Sequence, residues 1–195
     1  MAAFFELIIS NQVCLGMKKL LSFACAIAFF FIAPAQNINT STSKVTFELS
    51  HMKFNSVEGT FNGMTGVVSF DPQDIEDATM SVCINASSVN TRNSKRDEHL
   101  RKEDFFNTEK YPEICFQSSR FETTESGYIV YGDLKMLDIS KELMIPFKFE
   151  NNIFQGSFII QRLDYGLGED TGTFMVGNDV EMSIICELKS LRESE

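Results

Sequence analysis

From residue 36 onward the chain alternates apolar and polar side chains with a period of two, the pattern of strands buried on one face. Val45, Phe47 and Leu49 alternate with Thr46, Glu48 and Ser50, and Met80, Val82, Ile84 and Ala86 alternate with Ser81, Cys83 and Asn85. The pattern recurs in Tyr128/Val130/Leu134, Leu143/Ile145/Phe147/Phe149, Phe154/Phe158/Ile160 and Val180/Met182/Ile184/Leu188. With 56–70 and 114–121 added, it predicts about eight strands. Turn chemistry separates them, in Asn62-Gly63, Asp71-Pro72 and Ser126-Gly127. An antiparallel sheet of this kind can close on itself, and eight strands enclose either packed side chains or one small ligand.

One stretch interrupts the alternation, "RDEHLRKEDFFNTEKYP" at 96–112. Ser94 is placed to cap a helix with Asp97 at its third position, and Asp97 and Glu98 favour the positive helix start. Leu100 supplies an apolar contact, Phe105-Phe106 fold back toward the sheet, and Tyr111-Pro112 restarts extended chain, because the residue before proline avoids the α region. The predicted fold is all-β: an eight-stranded antiparallel barrel over 44–190 with a short helical crossover, 94–107, between strands three and four.

Ahead of the alternating region lies a leader. Lys18 and Lys19 after Met17, an uncharged run over 20–32, and Ala33-Pro34-Ala35 compose a signal peptide over 17–35, cleaved near Ala35-Gln36. The run is short of the roughly 20 residues that a membrane-spanning helix needs. Translation is then expected to start at Met17, with 1–16 an upstream extension outside the fold and 36–43 a polar spacer. Cys25 within the run is the one feature of a lipoprotein signal, but Ser22-Phe23-Ala24 before it lack the usual aliphatic residue. The expected location is periplasmic or secreted.

Of 17 Lys plus Arg and 27 Asp plus Glu in the chain, residues 1–35 hold Lys18, Lys19 and Glu6, so the exported part carries 15 against 26, a net charge of −11. Such a domain repels polyanions, which excludes nucleic acid and electrostatic membrane anchoring as expected partners. Cys83, Cys115 and Cys186 remain after the leader, without CxxC or zinc spacing. Three is odd, so at least one thiol is free or pairs between molecules. The two histidines, His51 and His99, sit in no catalytic or metal-binding signature. No catalytic residue, metal or cofactor is called.

Phe is abundant, 19 residues, beside nine Met and no Trp, a composition suited to an apolar filling or an apolar lumen. The segments "FELSHMKFNSVEGTFNGMTGVVSFDP", "SSVNTRNSKRDEHLRKEDFFNTEKYPEICFQSS", "YGDLKM" and "GSFIIQRLDYGLG…VGNDVEMSI" together resemble the YceI-like family over roughly 40–189. The resemblance implies a lipocalin-like barrel with an elongated apolar pocket for a polyisoprenoid chain, as a prenyl phosphate or a prenylated quinone. "LDISKELMIP" at 137–146 departs from the family's habit there and leaves that hairpin's shape open.

Inward members of the strands are expected to line the lumen: Phe47, Leu49, Ile84, Phe116, Val130, Leu134, Phe147, Phe158, Ile160, Met182 and Ile184, with Phe61, Phe105 and Phe106 closing the barrel or touching the chain. Arg92, Arg96, His99 and Arg101 are the nearest concentration of donors for a headgroup, although interleaved carboxylates make ion pairs along a solvated helix the competing role. Arg162 shares parity with Phe158 and Ile160, so its charge needs a buried partner or a headgroup. The expected function is binding an isoprenoid lipid for transport, storage or sequestration, without bond making. An enzyme acting on that lipid, or a filled β-domain for protein interaction, are the alternatives. A homodimer is as compatible with the sequence as a monomer.

Overall fold

The computed structural model describes residues 35–51 and 55–189. The upstream extension and nearly all of the leader therefore lie outside the described residues. Ten strands are formed among those described: β1 (Gln36–Asn37), β2 (Lys44–His51), β3 (Asn55–Phe61), β4 (Thr65–Asp71), β5 (Asp74–Asn85), β6 (Glu113–Thr124), β7 (Gly127–Met136), β8 (Ile139–Glu150), β9 (Ile153–Gln161) and β10 (Val176–Glu187), with one helix, α1 (Ser94–Leu100), between β5 and β6. They build a single antiparallel sheet in the order β1-β4-β5-β6-β7-β8-β9-β10-β2-β3.

The fold is all-β as expected, but the strand count is ten rather than eight. The segment read as one strand over 56–70 is broken at Asn62-Gly63-Met64, where Gly63 takes φ 73°. Part of the spacer is also recruited, since Gln36 and Asn37 pair with Val68 and Val67. Breaking the chain there sends it from one edge strand, β3, to β4 beside the opposite edge, and three residues reach only about 14 Å. The sheet must therefore curl until its edges nearly meet, forming an open half-barrel rather than a closed one. Met64, 1% exposed, fills the join, and Thr60 of β3 pairs with Asn90 from the β5–α1 connection.

Hairpins are set by local chemistry. Asn151 and Asn152 both adopt positive φ between β8 and β9, the left-handed pair that a two-residue turn needs. Asp71 Oδ1 accepts the Gln73 N–H after β4. In the hairpin left open by the sequence, Leu137 takes φ 57°, an uncommon conformation for a branched side chain, and β7 returns directly as β8 with Met136 opposite Ile139.

The helix is capped one residue earlier than expected: Asn93, not Ser94, accepts the Arg96 N–H at 3.1 Å. Asp97 turns back instead, its Oδ1 accepting both the N–H and the hydroxyl of Thr91 at 2.8 and 2.5 Å.

The concave face is filled unequally. At one end Phe70 stands at the hub of a ring cluster, with centroids 5.7 Å from Phe121, 5.0 Å from Tyr128 and 4.9 Å from both Phe149 and Phe154. Phe154 has no exposed surface and stacks on Phe149 at 4.4 Å. Most contacts are edge-on, the arrangement that aromatic quadrupoles favour. Replacing Phe154 by Ala is expected to cost about 3–5 kcal/mol, read by urea unfolding, because rigid neighbouring rings cannot collapse into the space; a loss under about 1 kcal/mol would contradict this plug.

Candidate functional site

Beyond the aromatic plug the same concave face is hollow. A cavity of about 370 Å³ lies between β2, β3, β5, β6, β7, β8, β9 and β10, roofed by α1 and the 166–176 loop. Phe147 forms its floor, since this ring both lines the cavity and meets Phe154 of the plug at 5.7 Å. In the plug the rings gather on one another around Phe70, whereas the Phe side chains of the cavity wall stand among Val, Leu, Ile and Met and line the space without filling it.

The wall includes Phe47, Leu49, Phe61, Ile84, Phe116, Leu134, Phe147, Phe158, Ile160, Met182 and Ile184, together with Phe105 and Phe106 from the turns after α1. Val130 is fully buried but stands outside the cavity, its strand neighbour Phe121 belonging to the plug. Sequence reading missed Met64, Met80, Ile145, Val180 and Leu167, which also line it. Met80, Ile145 and Val180 share parity with neighbours it named; Leu167 comes from an irregular loop and carried no periodic signal.

Five polar side chains touch the cavity: Ser50, Arg96, His99, Arg162 and Thr171. Arg162 is 3% exposed. The expected carboxylate partner is not what satisfies it. Its Nε donates to Gly177 O at 2.9 Å, Nη1 to Leu167 O and Gly168 O at 2.5 and 2.8 Å, and Nη2 to Thr171 O and Val176 O at 2.8 and 3.0 Å. All five N–H groups of the guanidinium are thus consumed by backbone carbonyls. Burial lowers its pKa from the ordinary value, but a guanidinium stays protonated in proteins. Arg162 therefore pins the 166–177 segment over the cavity while placing one unneutralised positive charge beside it.

Among the donors of the crossover, the geometry separates wall from scaffold. Arg96 Nε and Nη2 donate to Thr91 Oγ1 and O at 2.8 and 3.0 Å, and among the described residues Nη1 has no partner. His99 Nε2 meets Asp104 Oδ2 at 2.5 Å, and the imidazole packs edge-on against Phe105 at 5.1 Å. Both line the cavity rim. Arg101 does not: its Nε and Nη2 donate to Ser87 O and Val89 O at 2.8 and 2.9 Å, tying α1 to the β5–α1 connection. Arg92 lies on the outer surface of β3, paired with Glu58 at 2.7 Å. There it faces a carboxylate row, since Glu58, Glu48 and Glu181 stand directly opposite one another across β3, β2 and β10.

The cysteines are paired within the chain. Cys83 and Cys115 are register partners on β5 and β6 and form a disulfide, so Cys186 is the free thiol among the described residues. Cys186 is buried against the cavity, and burial pushes its thiol up to about 12. Burial, with help from Asp164, likewise pushes the Tyr165 phenol up to about 12.

The model of the YceI-like domain matches residues 36–188. A UPF0312 protein of Vibrio campbellii is 32% identical over 141 residues, 68% of this chain and 75% of that protein. Among solved structures, Burkholderia cenocepacia BcnA superposes with a TM-score of 0.71 at 22% identity, covering 78% of this chain and 99% of its own. A polyisoprenoid binding domain from Saccharophagus degradans, implicated in plant cell wall breakdown, superposes at 0.61 with 15% identity over 82% and 99%.

Three outcomes follow from these contacts. Asp97→Ala strands the Thr91 donors and is expected to cost about 1–3 kcal/mol in urea unfolding; no loss would show that the Asp97 contact is dispensable. Both shifted groups are neutral in the folded state at pH where the unfolded chain is already ionised, so stability should be intact below about pH 9 and fall between 9 and 12. A thermal midpoint that rises across that interval would reverse the sign. Alkylation at pH 8 should leave Cys186 unlabelled until denaturant is added, while Cys83 and Cys115 appear as linked peptides until reduced.

Proposed function

Because the chain belongs to the YceI-like family, we propose that it binds a prenylated lipid, holding the apolar chain in the cavity and the polar head at the rim. The observation that carries this reading is a hollow, almost wholly apolar cavity in a sheet whose other end is solidly packed. The Saccharophagus neighbour, a polyisoprenoid binding domain, supports the ligand class. Burying an apolar chain contributes roughly 0.8 kcal/mol per methylene, so affinity needs no bond to the protein.

The rim favours a prenylated quinone over a prenyl diphosphate. A diphosphate calls for several free cationic donors, and Arg162 has already given all of its own to carbonyls. Arg96 Nη1 supplies a hydrogen bond that a quinone carbonyl accepts, beside a His99 whose Nε2 is held by Asp104. The wall is proposed to be the predicted lumen residues apart from Val130. Carriage or sequestration of the lipid, without bond making, is the role proposed. Export is part of the proposal: the 17–35 leader and the Cys83–Cys115 disulfide both fit an oxidising compartment.

Organic extraction of protein purified from its native envelope, followed by mass spectrometry, is expected to yield about one prenyl lipid per chain. Protein that is empty and also refuses added prenylated quinone would overturn the reading. Arg96→Gln is expected to weaken quinone binding about tenfold while leaving a headless prenyl hydrocarbon unaffected, both measured by titration. Equal losses for the two ligands would remove Arg96 from the headgroup.

A further inference from the structure

Two of the long ladders in the sheet are incomplete: β5–β6 pairs only over Ser81–Asn85, and β8–β9 only close to its turn. β8 pairs with β7 from Ile139 to Phe147, and β9 pairs with β10 along its whole length. Yet β8 and β9 pair with each other only over Phe147–Glu150 and Ile153–Gly156, the four positions nearest their turn. Beyond Phe147 the two strands enter no common ladder.

Pro146 accounts for the break. The Phe147 carbonyl faces Gly127 on the β7 side, whereas the Pro146 carbonyl faces β9, where a Cβ built on Gly156 would lie 2.7 Å from its oxygen. In an antiparallel strand the N and O of one residue point to the same neighbour. The N–H that proline lacks is therefore one that would have faced β9, at the first position past the last pair. At the far end β8 is tied to the turn that follows β9 by Lys141 Nζ and Asp164 Oδ1, 3.2 Å apart and both about half exposed. Between these limits the seam runs about 20 Å.

Both faces of the seam are apolar. Inside, Ile145 and Phe147 on one edge and Phe158 and Ile160 on the other line the cavity. Outside, continuing the register of the last pair sets Met144 opposite Ile159, and these are 60% and 63% exposed. Met144 and Ile159 are two of the five large apolar side chains that stand exposed among the described residues, and they face each other across the seam.

We propose that this seam is a side portal through which the apolar chain of the bound lipid enters and leaves the cavity. The portal rests on the lipid-binding reading above. Parting β8 from β9 here breaks no ladder, whereas parting β2 from β10, β5 from β6 or β9 from β10 along the cavity wall would break a run of paired positions. The apolar lips shield the chain from water in transit. The rim cannot serve the chain as well, because α1 and the 166–177 segment are pinned across it by Arg101 and Arg162.

The test uses Met144→Cys/Ile159→Cys, tethered across the seam with a short bis-maleimide; the buried Cys186 thiol stays out of the reaction. The protein is loaded with a radiolabelled prenylated quinone, and release to phosphatidylcholine vesicles is timed. Tethering is expected to slow release at least tenfold without changing the amount bound at equilibrium, while the same variant capped with a monofunctional maleimide keeps the parental rate. Pro146→Thr, which restores the N–H and lets the ladder extend, is expected to slow release in the same direction. Unchanged release from both the tethered protein and Pro146→Thr would overturn the portal with lipid binding intact. Failure of the untethered protein to take up any quinone would overturn the lipid-binding reading and the portal with it.

Discussion

Phe70 and Phe154 hold opposite sides of the curled sheet together at one end, Phe70 reaching from β4 and Phe154 from β9, their rings 4.9 Å apart. Every strand that passes this cluster is fixed in angle and spacing by it. Farther along, the rings and aliphatic side chains of the concave face line an open space instead of filling it. A cavity in a protein interior normally costs stability, since lining atoms lose contacts. Here the plug supplies the cohesion that lets the remaining half of the concave face stay unfilled.

The crossover plays the complementary part at the open end. Its charges are spent on structure: Asp97 on Thr91, Arg101 on Ser87 and Val89, His99 on Asp104. These bonds place Leu100, Phe105 and Phe106 over the cavity, with Phe106 edge-on to Phe61 at 5.2 Å. Arg162 does the same for the loop from the other side. Polar groups thus hold the roof while apolar groups form its lining, and Arg96 keeps one donor turned to neither task.

Strand positions and inward parity were legible in the sequence because the period of two is imposed by the backbone itself. Phe47, Leu134, Phe158 and Ile184 reach the cavity wall for that reason. Parity also turned Arg162 inward, but its partners are five carbonyls of a loop whose path no periodicity encodes. The division of 56–70 into β3 and β4 hinged on Gly63, a turn residue visible in the sequence whose consequence, a jump between sheet edges, is a matter of topology. The Cys83–Cys115 bond depends on the register of β5 against β6, which sequence spacing leaves undetermined. Pro146 was visible as well, yet its effect depends on which neighbour its missing N–H would have faced, and only the assembled sheet decides that.

One end of the curled sheet is a solid plug and the other an apolar container of fixed depth. A chain-length series tests it most directly: one quinone headgroup carrying successively more isoprene units, titrated against the protein by calorimetry. Affinity should climb with each added unit and then level once the chain reaches the Phe147 floor, with a heat-capacity change that grows and saturates in step. Affinity indifferent to chain length would contradict it, as would affinity that keeps climbing past the volume available.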